Sequence, residues 1–182
     1  MVLRESKLVT IDFQAADFSL RDPSGLAYSR DDLMGSKGLV MVFTCNHCPY
    51  AEALWGRLKT LFNKIQPNGV NIVAINPNIN PNYPSDSPEH MVELIHEKKL
   101  PFPYLVDHDQ QVARMYEAQC TPDVYLFDAA FNCVYHGRFD DNWKDASAVK
   151  SPDLELAVTA MLAGKPVSQT HPSMGCSIKW NE

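Results

Sequence analysis

The chain has 182 residues, of which 45% are hydrophobic and 21% are charged. This profile excludes fibrous and disordered proteins and is typical of one globular domain. The formal net charge is -6, and without a basic cluster it argues against a nucleic-acid partner or an anionic membrane surface. No window approaches the ~20 apolar residues of a membrane-spanning helix, and the first residues lack a signal-peptide core. We therefore expect a cytoplasmic protein.

The first half of the chain predicts a strand, a helix and a strand in that order. Residues 21–25 favour a turn between two short strands. Residues 38–44 are apolar throughout, as in a central buried strand. Apolar residues at helical spacing follow until Pro67, and residues 70–76 form the next apolar strand. This order predicts a parallel crossover connection.

The second half predicts a long loop and then alternating helices and strands. Residues 76–88 hold four prolines and four asparagines, a composition that sustains neither a helix nor a strand ladder. The later elements are a helix from Pro88, a strand at 103–107, a helix at 109–118, a hairpin at 124–138 and a helix from Ser151 to Gly164. The expected fold class is α/β, with a mixed central sheet flanked by helices.

We predict one domain over residues 1–164 and a polar C-terminal tail over residues 165–182 that is not a separate domain. The tail carries Cys176, and a tail of this composition is expected to be able to swing. Cys176 is therefore a candidate second resolving cysteine or a tether to a partner, and equally a bystander. The sequence leaves the oligomeric state open.

Five cysteines are an odd number, which argues against a permanent disulfide framework and for catalytic, metal-binding or buried thiols. Cys45 and Cys48 form a CxxC motif where the predicted central strand ends and a helix begins. Three interpretations of these two thiols are open: a redox-active dithiol, a pair of metal ligands, or two small buried side chains. Cys120 and Cys133 lie beside strand residues and are expected to be buried apolar side chains.

A CxxC motif in this position, with Thr121 and Pro122 opening a later strand, resembles the thioredoxin fold. The longer pattern is similar to the peroxiredoxin-like branch of that superfamily, the alkyl hydroperoxide reductase and thiol-specific antioxidant group. The resemblance covers roughly residues 10–145 and is carried by residues 15–20, 45–49, 70–76, 120–123 and 137–141. It implies a thioredoxin-like fold with an N-terminal β-hairpin extension, a CxxC-bearing subgroup and an antioxidant-type oxidoreductase without a cofactor.

The leading hypothesis is a thiol-disulfide oxidoreductase. The start of a helix favours a thiolate, and only the thiolate attacks. Cys45 would be the nucleophile, Cys48 the resolving thiol, and the His47 imidazole would lower the pKa of Cys45 further. By resemblance, Thr121 and Pro122 would share a cis peptide that leaves the backbone free to pair with an extended substrate.

The implied partners are protein thiols and disulfides or a thioredoxin-type reductant. Thioredoxin itself usually has a buried acid six positions before its first cysteine, and here that position holds Leu39. Another base or water would therefore have to accept the proton of the resolving thiol.

A thiol peroxidase is the alternative enzyme, with either cysteine of the CxxC motif attacking peroxide and Cys48 or Cys176 as the resolving thiol. Peroxiredoxins place a Thr three residues before the peroxidatic cysteine and a Pro four residues before that Thr. Counted back from Cys48, these positions hold Cys45 and Met41. Counted back from Cys45, they hold Val42 and Gly38. Neither register supplies the two residues that shape a peroxide pocket.

A non-catalytic redox-sensing or metal-binding module is the third hypothesis. Cys45, His47 and Cys48 are all zinc-ligand types, but a structural zinc site needs a fuller set of ligands. Cys176 and one of His136 or His171 would have to complete it. We expect no bound metal.

Overall fold

A seven-stranded mixed sheet organises the chain, and its central strand leads directly into the CxxC motif. In the computed structural model, which describes residues 2–10, 12–167 and 170–181, this strand is Gly38–Phe43 and is buried along its whole length. It pairs in parallel with Val70–Asn76 and antiparallel with Asp123–Asp128. A strand covered on both faces needs apolar side chains on both, which explains the unbroken apolar run.

The strands and helices are numbered in chain order. The strands are β1 Leu3–Glu5, β2 Ser19–Arg21, β3 Ala27–Ser29, β4 Gly38–Phe43, β5 Val70–Asn76, β6 Tyr104–Val106, β7 Cys120–Thr121, β8 Asp123–Asp128, β9 Cys133–Gly137 and β10 Met174–Ser177. The helices are α1 Arg30–Leu33, α2 Pro49–Glu52, α3 Trp55–Ile65, α4 Pro88–Lys98, α5 Gln111–Met115 and α6 Asp153–Leu162.

The large sheet has the strand order β3-β2-β6-β5-β4-β8-β9. The antiparallel β2–β3 hairpin extends one edge and the β8–β9 hairpin forms the other. β4 and β5 are parallel and are connected through α2 and α3, as the crossover pattern predicts. The α/β class, the mixed sheet and the N-terminal hairpin are thereby confirmed.

Side chains of β4 alternate between two apolar layers. Val40 and Val42 pack into the layer built with α3 and α6, whereas Leu39 and Met41 point into the layer that contains Tyr116. The sheet therefore lies between two layers of helices and loops. Among the helices of the described ranges, none has the length and apolar character needed to cross a bilayer.

The C-terminal tail does not swing in this structure. Its strand β10 lies between β1 and β7 in a second, three-stranded sheet. Leu3 and Thr121 both pair with Cys176, from opposite sides. The short segment Met174–Ser177 has no apolar period that would mark a strand, because two neighbouring edges rather than a hydrophobic face hold it. Of the predicted domain and tail, residues 1, 11, 168, 169 and 182 lie outside the described part of the chain.

The helix predicted after the CxxC motif is divided in two. α2 begins at Pro49 with Cys48 as its N-cap residue, and α3 begins at Trp55 with Leu54 as its N-cap residue. Pro suits the first position of a helix because its missing N–H has no partner there. The start of the helix is therefore at the second cysteine of the motif and not at the first.

Two leucines of α6 test how much the packing of helices on the sheet contributes to stability. Leu154 is 0% exposed and Leu156 is 55% exposed. We expect Leu154→Ala to lower the free energy of unfolding by about 2–5 kcal/mol, because it removes buried methyl groups and leaves a cavity. Leu156→Ala, the matched control in the same helix, is expected to change it by less than about 0.5 kcal/mol. Urea titration of both variants measures the difference, and equal losses would contradict the assigned helix orientation.

Candidate active site

The CxxC motif lies in the loop between β4 and α2, and both of its sulfurs are enclosed. Cys45 and Cys48 are each 0% exposed, and they form one buried cluster with Ala51 and Cys176. Cys45 and Cys48 are thiols and are not joined by a disulfide. The structure therefore brings together three of the cysteines that the sequence singled out, and it places them beneath the surface.

The predicted ionisation of Cys45 at the molecular surface is wrong. Burial raises the pKa of the Cys45 thiol well above its ordinary value, and its hydrogen bond to Cys48 and the charge of Asp86 raise it further. The Cys45 sulfur lies 3.3 Å from Thr121 Oγ1. Because α2 begins after Cys48, the electropositive end of the helix does not reach Cys45 as we expected.

Cys48 has the lowered pKa instead. The Cys45 thiol donates a hydrogen bond that lowers the pKa of Cys48 to about 5, against the opposing effect of burial. The thiol of Cys176 and the backbone N–H of Ala51 act in the same direction. One acceptor opposes these donors, because protonated Cys48 donates to the Thr121 carbonyl oxygen at 3.2 Å. A backbone hydrogen bond from Cys176 also lowers it. These four hydrogen bonds outweigh the one acceptor, so Cys48 is the thiol of the cluster that ionises first.

Thr121 contacts each of the three sulfur-bearing residues. Its hydroxyl is beside the Cys45 sulfur, its carbonyl oxygen accepts from Cys48, and its hydroxyl donates to the Cys176 carbonyl oxygen at 3.5 Å. The peptide bond between Thr121 and Pro122 is cis. The structure therefore places the Thr121–Pro122 pair against the CxxC motif, as the resemblance implies.

Cys176 reaches the cluster from the small sheet. It is 1% exposed, and its backbone faces Thr121 in the pairing of β10 with β7. Burial and the neighbouring Cys48 raise the pKa of the Cys176 thiol to about 12. Cys176 is therefore a protonated neighbour of Cys48 at neutral pH.

His47 is oriented by an acid that the sequence analysis did not single out. Buried Asp86 accepts the backbone N–H of Asn46 at 2.7 Å and that of His47 at 3.2 Å, and it also bonds the His47 ring at Nδ1. This bond raises the pKa of the His47 imidazole above its ordinary value. The Tyr83 ring stacks on the His47 imidazole, with the two ring centroids 5.6 Å apart.

Asp86 and Tyr83 belong to the loop rich in Asn and Pro, which forms one wall of the site. Asn46 donates from Nδ2 to the Ser85 carbonyl oxygen at 2.9 Å and accepts from the Tyr104 hydroxyl at 2.9 Å. Asn76 donates to the Asp86 carbonyl oxygen at 3.0 Å. The loop therefore holds the CxxC motif in place. Its composition predicted a loop, and no local pattern marked Asp86 as part of the site.

The two histidines that the zinc hypothesis would need are paired with acids. His136 is buried against Asp123 at 2.8 Å, and His171 lies 3.1 Å from Asp153. In the described part of the chain, the donor atoms that do converge are those of Cys45, His47 and Asp86, which lie within 4.8 Å of one another. These three groups offer the ligand atoms of an open three-donor site, although the Asp86 oxygens already accept three N–H groups.

The remaining two cysteines are buried, as predicted. Burial raises the pKa of Cys120 and raises that of Cys133 to about 12. The Cys120 thiol lies 3.5 Å from the Pro122 carbonyl oxygen. Cys120 belongs to β7, the same short strand as Thr121. At Cys133 burial outweighs a backbone hydrogen bond of Tyr135, which lowers the pKa.

A pocket of about 210 Å³ opens beside Pro122. Tyr50 and Trp143 line it with ring centroids 4.0 Å apart, and Glu5 and Met174 form part of its rim. It is large enough for one side chain of a partner molecule. The neighbouring strands β1 and β10 of the small sheet thus border the pocket through Glu5 and Met174, and β10 also reaches the sulfur cluster through Cys176.

Two solved structures resemble the whole chain. An uncharacterized conserved protein from Geobacillus kaustophilus is 40% identical, with 100% of this chain and 97% of that chain covered and a TM-score of 0.94. The hypothetical protein SMc02350 from Sinorhizobium meliloti 1021 is 36% identical, with 97% and 98% covered and a TM-score of 0.91. A comparison with curated proteins gave no match.

More distant structures establish the fold. Peroxidoxin BcpB from Mycobacterium tuberculosis is 14% identical, with 84% of this chain and 94% of that chain covered and a TM-score of 0.59. The thioredoxin domain of a thiol-disulfide oxidoreductase from Bacteroides vulgatus is 18% identical, with 71% and 89% covered and a TM-score of 0.60. The thioredoxin-like fold expected from the sequence is thereby confirmed.

The model of the AhpC/TSA family matches residues 11–136. This range includes the CxxC motif, the loop that carries Asp86 and the Thr121–Pro122 pair. Together with the fold and the buried thiol cluster, the match supports a redox enzyme that acts through thiols. The chain belongs to the AhpC/TSA family.

Proposed function

We propose that the protein is a thiol-disulfide oxidoreductase whose redox group is the dithiol of Cys45 and Cys48. The single observation that carries this proposal is the coupling of the two thiols, in which the Cys45 hydrogen bond lowers the pKa of Cys48 to about 5. A thiol with this pKa is a thiolate at neutral pH, and a thiolate is the attacking form in disulfide exchange. We assign the resolution of the resulting mixed disulfide to its hydrogen-bonded neighbour, Cys45.

The proposed reaction begins at Cys48. Its thiolate attacks one sulfur of a substrate disulfide, forms a mixed disulfide and releases the second substrate sulfur as a thiolate. Cys45 then loses its proton and attacks the Cys48 sulfur, which releases the first substrate sulfur and leaves a Cys45–Cys48 disulfide. Two electrons pass from the dithiol to the substrate. These roles reverse the sequence-based assignment, because the Cys45 hydrogen bond lowers the pKa of Cys48 whereas burial raises the pKa of Cys45.

The proton of Cys45 needs an acceptor when Cys45 resolves the mixed disulfide. Donor atoms of Cys45, His47 and Asp86 lie within 4.8 Å of one another. Leu39 holds the position at which thioredoxin usually has a buried acid. We therefore assign the acceptor role to the His47–Asp86 pair. Thr121 and Pro122 act as positioning residues, because Thr121 holds both sulfurs from one side.

The proposed partners are protein disulfides and a thioredoxin-type reductant, and the proposed site needs no cofactor. A thiol peroxidase, with Cys48 as the attacking thiol, is the second candidate. Cys45 stands three residues before Cys48, where peroxiredoxins have Thr, and its S–H group donates to Cys48. Met41 still replaces the family's Pro, which leaves disulfide exchange as the better supported reaction.

Substitutions at the two cysteines identify the attacking sulfur. Cys45→Ser, combined with Cys176→Ala, retains the nucleophile and removes both thiols that could resolve the adduct, so we expect it to accumulate mixed disulfides with protein substrates. Cys48→Ser is expected to trap none, and both variants are expected to lose dithiothreitol-dependent insulin reduction. Non-reducing gels and mass spectrometry measure the adducts.

Cys133→Ala is the matched control, because this buried thiol lies outside the cluster, and we expect it to retain full activity. Trapping by Cys48→Ser in place of Cys45→Ser would restore Cys45 as the nucleophile. Peroxide consumption by the wild type without insulin reduction would favour the second candidate.

Removal of the Cys45 thiol tests the coupling directly. In Cys45→Ala the thiolate of Cys48 loses its strongest donor, so we expect the pKa of Cys48 to rise from about 5 towards the ordinary value of 9.0. The reason is that a hydrogen bond to the charged form favours that form. The ultraviolet absorbance of the thiolate against pH measures the change. An unchanged titration would show that Cys45 does not stabilise the Cys48 thiolate.

Substitution of Asp86 tests the orientation of His47. Asp86→Asn keeps the size of the side chain and removes its charge, so we expect the pKa of the His47 imidazole to fall. NMR titration of the His47 ring measures this pKa. Asp145→Asn, at an exposed turn that bonds Ser147, is the control and is expected to leave it unchanged. A His47 pKa that is insensitive to Asp86→Asn would remove the pair from the proposed proton path.

A further inference from the structure

The strand β7 offers its edge beside the sulfurs of the CxxC motif. Its residue Thr121 contacts Cys48 at 3.2 Å through the carbonyl oxygen and Cys45 at 3.3 Å through the hydroxyl. A strand that pairs with β7 therefore runs directly past the redox group. Extended polypeptides bind proteins in this way, by adding a strand to an open edge.

The chain's own tail occupies this edge. β10 pairs antiparallel with β7, with Cys176 opposite Thr121 and Ser177 opposite Cys120. Cys176 thereby delivers its thiol to Cys48, to which it donates a hydrogen bond. The tail presents a cysteine in an extended segment to the attacking sulfur, which is the arrangement that a protein substrate would have to adopt.

Gly175 shows how closely the segment fits. A Cβ atom at this position would lie 2.1 Å from the Thr121 carbonyl oxygen and 2.6 Å from its carbonyl carbon. Both are backbone atoms and cannot turn away, so a residue with a side chain would push β10 off the edge. The tail is held on either side of this point, where Ser173 bonds Ser6 at 2.8 Å and Lys179 bonds Asn78 at 2.9 Å.

The same segment closes the site. Cys45 and Cys48 are both 0% exposed, and Cys176 belongs to the cluster that encloses them. A substrate disulfide needs a direct line to the Cys48 sulfur, so β10 has to leave the edge before a substrate can react. Two register pairs hold β10 to β7, a short contact that can open without global unfolding.

We propose, on the basis of the function proposed above, that Met174–Ser177 is an internal substrate segment. It fills the place of an extended, cysteine-containing polypeptide, and the true substrate is a polypeptide that displaces it along β7. The neighbouring pocket, with Met174 on its rim, receives a side chain of the incoming segment. Small disulfides lack the backbone that pairs with Thr121 and compete poorly with the tail.

Cys176 also takes part in exchange when the dithiol is oxidised. The Cys176 sulfur, once deprotonated, attacks the Cys48 sulfur of the Cys45–Cys48 disulfide. A Cys48–Cys176 disulfide forms, the Cys45–Cys48 bond breaks, and Cys45 leaves as a thiolate that takes up a proton. The step is an isomerisation, so it needs no further oxidant. The tail is thereby held on the edge in the oxidised protein until a thiol reduces it.

The first test loosens the segment in the full-length protein. We expect Gly175→Val to raise the rate at which Cys48 is alkylated by roughly tenfold, because the displaced strand opens locally more often. Gly56→Ala is the control, since a Cβ there meets nothing within 4 Å, and its rate is expected to equal that of the wild type. Peptide mapping by mass spectrometry measures the modification of Cys48. An unchanged rate in folded Gly175→Val would overturn the proposal.

The second test uses a synthetic peptide with the sequence of residues 172–179, linked to glutathione through its cysteine. We expect Gly175→Val to reduce this mixed disulfide faster than the wild type does, and faster than it reduces glutathione disulfide. A peptide with Val in place of the glycine is the matched control and is expected to react more slowly, because it cannot approach Thr121. Equal acceleration for glutathione disulfide and the peptide would mean that β10 is a simple cover, which contradicts the internal-substrate assignment.

The third test leaves the fold untouched. Mild oxidation of Cys45→Ala is expected to join Cys48 to Cys176 within one molecule, and mass spectrometry identifies the linked peptides. Failure to form this disulfide contradicts the exchange step. If the wild type does not reduce insulin, the proposed function fails, whereas the alkylation result still decides whether β10 covers Cys48.

Discussion

The hydrogen bond between the thiols of Cys45 and Cys48 is the interaction on which the rest of the site depends. Burial alone would hold both thiols protonated. Because one thiol donates to the other, a single negative charge is stabilised in the cluster, and it resides on Cys48. Cys48 receives it because its hydrogen bonds, that of the Cys45 thiol first, favour the charged form, whereas burial is the largest effect at Cys45 and raises its pKa.

The surrounding structure serves this pair from two sides. Thr121 supplies a hydroxyl to Cys45 and a carbonyl oxygen to Cys48, and its backbone carries the strand on which the tail lies. On the other side, Asp86 fixes the backbone of the CxxC loop and orients His47. The central strand β4 ends directly before the motif, and Thr121 and Asp86 contact the motif from its two sides.

The fold follows from local patterns, which is why it could be predicted from the sequence. The apolar run of β4, the helical period after Pro49 and the turn at residues 21–25 each report on neighbours in the chain. The resemblance to the thioredoxin-like, peroxiredoxin-related group predicted that Thr121 and Pro122 lie beside the motif. The exact start of α2 was not predictable in this way, because a motif of two cysteines does not mark which one caps the helix.

The sequence by itself determined the α/β class and the mixed sheet, and its resemblance predicted that Thr121 and Pro122 lie beside the CxxC motif. Only the tertiary structure decided that Asp86 orients His47, that Cys48 carries the lowered pKa and that Cys176 lies in the cluster. Asp86 is 40 residues from Asn46 and Cys176 is 55 residues from Thr121. Contacts at such separations depend on how strands and loops are brought together, and no periodicity or spacing within a short stretch of sequence encodes them.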